Sequence, residues 1–526
     1  MVFSVACFFT AMSVFGAWRV SAAGDQPPGP DRFAVVTQDY TAYEWWLTDW
    51  GNNKVACSIN VDHAGLPTLG EVYTVCGKPL YDKWVATKPC PPDGTCSGYY
   101  LQLFKSEPAK RKVGITLSPP VVWVSLDGCI PYNSTFKCAA LPTLVLTGEE
   151  PLEGEHITGL EVRMDGKSFT CDAVCQVDLA PTSDTGMLLE FWANSSYGDS
   201  SVLFNARVRV AASDDTTDHS WYVDVLTSQW RDVPLAGCSL IWDGFPPVGG
   251  LPDWLSTPQR AEDLATNVPY EYLAANLIQQ GVVDVSACSD GGIIDNGMVS
   301  QCGMEAARNT VTEWQNSFDD LIFSTAQHSG IPAHLLKSIF SRESQFWPGV
   351  SPDHPEAGLG QMTSGGADTT LLWNQPFFEQ FCPSTLDGAI CQSGYAQLSS
   401  DQQDILTSAL VNSVNATCPD CDMGIDLNRA RNSVGVFAET LLSNCEQAGA
   451  IVHNTFGGAP GASASYEDLW RFTLVNYHSG SGCLTLAIWE TQRRGETLDW
   501  SHLSSHFTPV CQGAVDYVKY ISDNSP

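Results

Sequence analysis

The chain has 526 residues, 44% of them hydrophobic, which is too long for one core and rich enough to fill several domains. Its 59 acidic side chains against 26 basic ones give a formal charge of −33. A surface of that sign repels a phosphate backbone, so nucleic acid is excluded as a partner class, and anionic polymers cannot be captured by simple electrostatic attraction.

Residues 1–23 are apolar as far as Trp18-Arg19 and close with Val20-Ser21-Ala22-Ala23 before a Pro/Gly stretch. This pattern predicts a signal peptide with a small-residue cleavage site, lacking a basic n-region, and it is the one segment through which the chain could be anchored to a membrane. No later segment approaches the ~20 apolar residues that span a bilayer. Setting Cys7 aside leaves 19 − 1 = 18 cysteines, an even number that fits a disulfide framework in an exported chain. Cys90 and Cys96, Cys129 and Cys138, and Cys171 and Cys175 have the spacing of local pairs.

Residues 25–120 read as a small α+β domain of unknown role. A Trp-rich helix over Tyr40 to Trp50 is followed by a strand over Lys54 to Val61, a helical region over Leu69 to Ala86 and a strand over Tyr99 to Phe104. Trp45, Trp46 and Trp50 could make a sugar-stacking platform, but their helical spacing favours core packing, and no site is assigned to them. Over residues 121–212, short alternating runs such as Leu160 to Met164, Met187 to Ala193 and Val202 to Val210 predict a β-sandwich. The segment resembles the immunoglobulin-like modules of bacterial exported proteins, which implies spacing or adhesion. Residues 213–305 read as a connecting segment that holds a strand-like Trp221 to Leu226 and a helical stretch from Pro258 to Gln280.

The C-terminal domain, residues 306–526, changes to long 3.6-residue periodicity. Pro332 suits a first helical turn, and Leu336, Ile339, Phe340 and Glu343 then fall on one face at i, i+3, i+4 and i+7. A carboxylate on an apolar stripe either finds a partner, with Arg342 and Lys337 the nearest cations in sequence, or keeps its proton at neutral pH. Trp347-Pro348 ends the helix, and a loop follows with Asp353, Glu356 and the run Gly358-Leu359-Gly360-Gln361-Met362.

Taken together, Glu343-Ser344-x-Phe346-x-Pro348 and Gly358-Leu359-Gly360-Gln361 resemble the soluble lytic transglycosylase family of the lysozyme-like superfamily. The family pattern is Glu-Ser-x-aromatic-x-Pro followed by Gly-Leu-Met-Gln about eighteen residues after the Glu, and here 361 − 343 = 18. Asn432 to Leu442 resembles the family's Asn-Ile-x-x-Gly-x-x-Tyr-Leu helix, Leu474 to Gly482 its Ala-Tyr-Asn-Ala-Gly-Pro-Gly segment, and Tyr517-Val518 its closing Tyr-Val. The likeness covers residues 316–521. Gly360 in place of the family's Met, His478 in place of its Asn, and seven cysteines between Cys382 and Cys511 depart from the pattern.

The resemblance implies a mainly α-helical lysozyme-like domain in an exported bacterial protein, secreted or associated with the cell envelope, that acts on peptidoglycan glycan strands. Glu343 would protonate the bond between N-acetylmuramic acid and N-acetylglucosamine and then serve as base while the muramyl 6-hydroxyl closes a 1,6-anhydro ring, with no second catalytic carboxylate. Gln361 and Tyr477 are the implied substrate contacts, with Ser344 and Met362 as weaker ones. No cofactor is implied. A lysozyme-like or chitin-type hydrolase, using Asp353 or Glu356 as second carboxylate, is the alternative enzyme, and a non-catalytic glycan-binding or adhesive protein is the alternative of another class. Cys418-Pro419-Asp420-Cys421 has no second ligand pair for zinc and reads as a disulfide, and Asp420, Asp422, Asp426 and Asn428 lack the spacing of a calcium loop, so no metal site is expected.

Overall fold

The computed structural model describes residues 32–90, 96–132, 135–213, 219–231, 237–349 and 356–523. It has two sheets in the N-terminal half and a helical C-terminal half. The expected signal segment and Asp353 lie outside the described residues.

Strands β1 (Phe33–Asp49), β2 (Lys54–Val61) and β3 (Tyr99–Thr116) form an antiparallel sheet in the order β2-β1-β3. Helices α1 (Leu69–Cys76) and α2 (Lys78–Val85), separated at Gly77, pack on one face of it. Leu47, Ile59, Val61 and Val72 form this small core, and Cys57–Cys76 staples β2 to α1. The Trp-rich stretch expected to be helical is therefore the end of a long strand. Its aromatic residues occupy both faces, Trp45 with the core and Trp46 on the opposite side, so the two-residue alternation is hidden in the sequence. Beyond Tyr43, β1 and β3 continue as a two-stranded ribbon, because β2 pairs only with Tyr43 to Asp49. At the ribbon's base Arg32 forms hydrogen-bonded ion pairs with Glu150 at 2.7 Å and Asp199 at 2.6 Å, tying it to the second sheet.

The second sheet contains β4 (Val121–Tyr132), β5 (Thr135–Glu149), β6 (Ile157–Met164), β7 (Lys167–Cys171), β8 (Val174–Asp178), β9 (Met187–Ser195), β10 (Phe204–Ala212) and β11 (Trp221–Leu226). Their order is β4-β5-β11-β10-β9-β6-β7, with β8 beside β5. The sheet curls so that β4 approaches β9 and β5 approaches β6 around a core of Val124, Leu146, Val162 and Phe191. Strand β11, assigned to the connecting segment by its position in sequence, is inserted between β5 and β10, and the sheet ends at Leu226 rather than near residue 212. Its Val223 and Val225 are buried in the apolar core of this sheet.

The remainder of the expected connecting segment belongs to the helical core. Helices α3 (Gly237–Trp242), α4 (Glu271–Gln279), α5 (Gln301–Asn316), α6 (Asp319–Ser329) and α7 (Ala333–Ser344) share one apolar cluster with the helices that follow. These are α8 (Ser364–Trp373), α9 (Gln375–Phe381), α10 (Gly388–Cys391), α11 (Ser400–Val414), α12 (Leu427–Phe456), α13 (Pro460–Ser463), α14 (Tyr466–Arg494), α15 (Trp500–Ser505) and α16 (Gly513–Asp523). Cys238–Cys445 and the Trp242 indole bond to the Cys445 carbonyl fix α3 against α12. Helix α14 breaks at Gly480, whose φ of 79° favours glycine.

Nine disulfides use every cysteine from Cys57 to Cys511, including the three local pairs and Cys418–Cys421. Such a framework is compatible with a protein folded in an oxidising compartment. Among the described residues no helix is long and apolar enough to cross a membrane.

Candidate active site

Helix α7 is buried almost all round. Leu336, Ile339 and Phe340 are at most 1% exposed, and the buried Lys337 ammonium bonds Asp319 at 2.6 Å and the Leu264 carbonyl at 2.6 Å. That pairing takes Lys337 away from Glu343. Arg342 instead lies exposed, with its guanidinium over the Tyr520 ring. Among the described residues Glu343 has no ion-pair partner, and of the two outcomes open to an apolar-stripe carboxylate it takes the second.

Burial pushes the Glu343 carboxyl up to about 7, opposed by the Tyr517 hydroxyl and the Arg342 charge and assisted by Glu356. At neutral pH the group is therefore divided between acid and base forms. Tyr517 is buried on α16, with no well-formed hydrogen bond for its hydroxyl, and its ring lies under His478 at 4.2 Å between ring centres. Burial and the neighbouring Glu343 charge raise both Tyr477 and Tyr517 well above the usual tyrosine range, so both hydroxyls keep their protons.

The glycine-rich loop closes tightly on α7. Ala357 and Met362 exchange backbone hydrogen bonds at 3.0 and 2.7 Å, and Gly358, with φ of 77°, leaves no room for a Cβ, which would meet the Val414 carbonyl at 2.7 Å. Ser344 donates to the Leu359 carbonyl at 2.7 Å. Its hydroxyl is thus buried and committed, and it acts by holding the loop to the helix. Tyr477 donates to the Gly360 carbonyl at 2.5 Å, so its proton secures the same loop while its ring borders Glu343.

Gln361 stands at the turn's end with φ of 52° and donates from Nε2 to the Gly358 carbonyl at 2.8 Å, which leaves its side-chain carbonyl and second N–H for a ligand. Met362 is 3% exposed and packs in the core. Gly360 has a packing counterpart: a Cβ there would meet the Phe437 ring at 2.5 Å and the Tyr477 hydroxyl at 2.7 Å, so Phe437 occupies the space a longer side chain would need.

The structure thus brings Glu343, Gln361, Tyr477 and Ser344 around one loop, with Met362 beneath it. Sequence reasoning gave no role to Tyr517. The closing Tyr-Val resemblance marked its position, but its contact with α7 depends on packing between helices far apart in the chain. Cys288, Asp290 and Cys302 approach one another, but the two cysteines are joined as a disulfide, which removes their thiolates as metal ligands. Asp426 accepts from the Asn428 and Arg429 backbone N–H groups as the cap of α12. A separate cleft of about 690 Å³ lies between α8, α9 and Gly388 to Gln397 and contains none of the Glu343 group.

No protein-family model, curated protein or solved structure matches this chain.

Proposed function

We propose that this protein is a peptidoglycan lytic transglycosylase, an enzyme that cleaves the β-1,4 bond between N-acetylmuramic acid and N-acetylglucosamine. The observation that carries this reading is a dehydrated Glu343 carboxyl with a pKa of about 7 and no ion-pair partner among the described residues, facing two protonated tyrosines beside a glycine-rich loop. Protonated Glu343 delivers its proton to the glycosidic oxygen as the bond breaks. The resulting carboxylate then takes the proton of the muramyl 6-hydroxyl as that oxygen attacks C1 and leaves a 1,6-anhydro end. A pKa near 7 suits a group that must act in both directions. Gln361 offers amide contacts to the sugar, and the curled sheet, whose sequence resembles immunoglobulin-like modules, serves as a spacer in the cell envelope.

Glu356 supports a second reading. Its charge raises the pKa of Glu343, so a second carboxylate acts on the acid, and one able to activate water turns the reaction to hydrolysis. The first test is the rate at which purified sacculi are solubilised. Glu343→Gln is expected to reduce that rate by about 10²- to 10⁴-fold, and release at the parent rate removes Glu343 from the chemistry.

A further inference from the structure

The face of the first sheet opposite α1 and α2 carries Glu44, Trp46, Thr48 and Tyr100, of which Thr48 is buried and the others are partly exposed. On it the Trp46 and Phe104 rings stack with centroids 3.8 Å apart and planes at 14°. Phe104 bulges out where the β1–β3 register shifts between Glu44 and Trp45. With one face covered by Trp46, a Phe104 ring that is still 50% exposed has its other face open to solvent.

The polar groups around this stack are held in place. The Trp46 Nε1 and the Ser58 hydroxyl both donate to Glu44 Oε1 at 3.0 Å, and the Lys105 ammonium stands 3.6 Å from Glu44 Oε2. Trp50, 45% exposed, meets the Tyr100 ring edge-on further along the same face. These aromatics are not left over from a core, since the core of this domain lies on the other face with Trp45, Leu47 and Ile59.

We infer that this face binds a saccharide chain of β-1,4-linked N-acetylhexosamines; the choice of saccharide rests on the proposed function. An open aromatic ring offers its π-face to the C–H side of a pyranose, and the fixed Glu44 carboxylate and Lys105 ammonium supply an acceptor and a donor for sugar hydroxyl and amide groups. A chain with a net charge of −33 has no general electrostatic hold on an anionic wall polymer, and stacking supplies a contact that does not depend on charge.

The test uses the full chain carrying Glu343→Gln, so that glycan is not consumed. Retention on purified sacculi and tryptophan-fluorescence titration with a β-1,4-linked N-acetylglucosamine hexamer are compared for that protein and for versions adding Trp46→Ala or Phe104→Ala. Each addition is expected to weaken binding about tenfold, the scale of one lost aromatic contact, and Phe104→Trp is expected to retain it. Phe104 is half exposed, so its removal leaves the fold in place, which circular dichroism verifies. Binding unchanged by both alanine variants overturns the inference, and so does a change confined to self-association in sedimentation. Cleavage surviving in Glu343→Gln contradicts the catalytic reading but leaves this binding result to be judged by itself.

Discussion

Glu343 is kept partly protonated by dehydration, and the groups around it modulate that state in opposite directions. Its folded pKa of about 7 lies above the ordinary 4.5, so between those values the folded chain retains a proton that the unfolded chain has lost. Stability due to this residue is full below pH 4.5 and falls as pH rises toward 7. Glu343→Gln removes that dependence. The variant is expected to match the parent in urea denaturation near pH 4.5 and to exceed it by up to about 3 kcal/mol at pH 8, while losing activity. Equal stability at both pH values contradicts a raised pKa.

Tyr517 favours the ionised form of Glu343, so Tyr517→Phe is expected to raise the carboxyl pKa and move the alkaline limb of the activity profile to higher pH. A profile that stays in place assigns Tyr517 a packing role only. Glu343 was legible in the sequence because three apolar residues share its helical face. Tyr517 was not, because the helix that carries it reaches α7 only through tertiary packing.

At the scale of elements, the site depends on a loop held from two sides, by Ser344 from α7 and by Tyr477 from α14. Gln345, Phe346 and Gln361 all have positive φ, a backbone state that costs non-glycine residues energy and is sustained here by packing such as the Trp314 bond to the Phe346 carbonyl at 2.8 Å. Gly360→Met is expected to destabilise the protein by about 1–3 kcal/mol through its clash with Phe437 and to reduce activity by displacing Tyr477. A smaller penalty in a Phe437→Ala background, measured as a double-mutant cycle, identifies that ring as the obstacle. Equal penalties in the two backgrounds contradict this.

The 3.6-residue periodicity made the C-terminal helices legible, and the alternating stretches of the second sheet were legible as strands. Two features were misread for physical reasons. Trp45 and Trp46 face opposite sides of one strand, so apolar residues on both faces erase the alternation. Strand β11 follows β10 in the chain and pairs with it, but its other neighbour, β5, comes much earlier, and that long-range pairing is not encoded in sequence order.

Over the whole molecule, the helical region is closed by Cys238–Cys445, which links residues 207 apart. Loop-closure entropy for that length is worth about 5 kcal/mol, so Cys238→Ser with Cys445→Ser is expected to lower the denaturation midpoint of the helical region substantially while leaving the sheets' cores intact. An unchanged midpoint contradicts this role. The small N-terminal domain also touches the helical region, since a Cβ on Gly70 would lie 1.9 Å from the Thr385 carbonyl oxygen. The proposed saccharide face and the Glu343 group thus lie in different parts of one chain, so the proposed binding and cleavage can be tested separately.

Mass spectrometry of the fragments released from purified peptidoglycan tests this account most directly. 1,6-Anhydromuramyl ends are expected from the parent protein and none from Glu343→Gln. Reducing ends from the parent would transfer the reaction to hydrolysis with Glu356 as second carboxylate, and fragments released equally by both proteins contradict a catalytic Glu343 altogether.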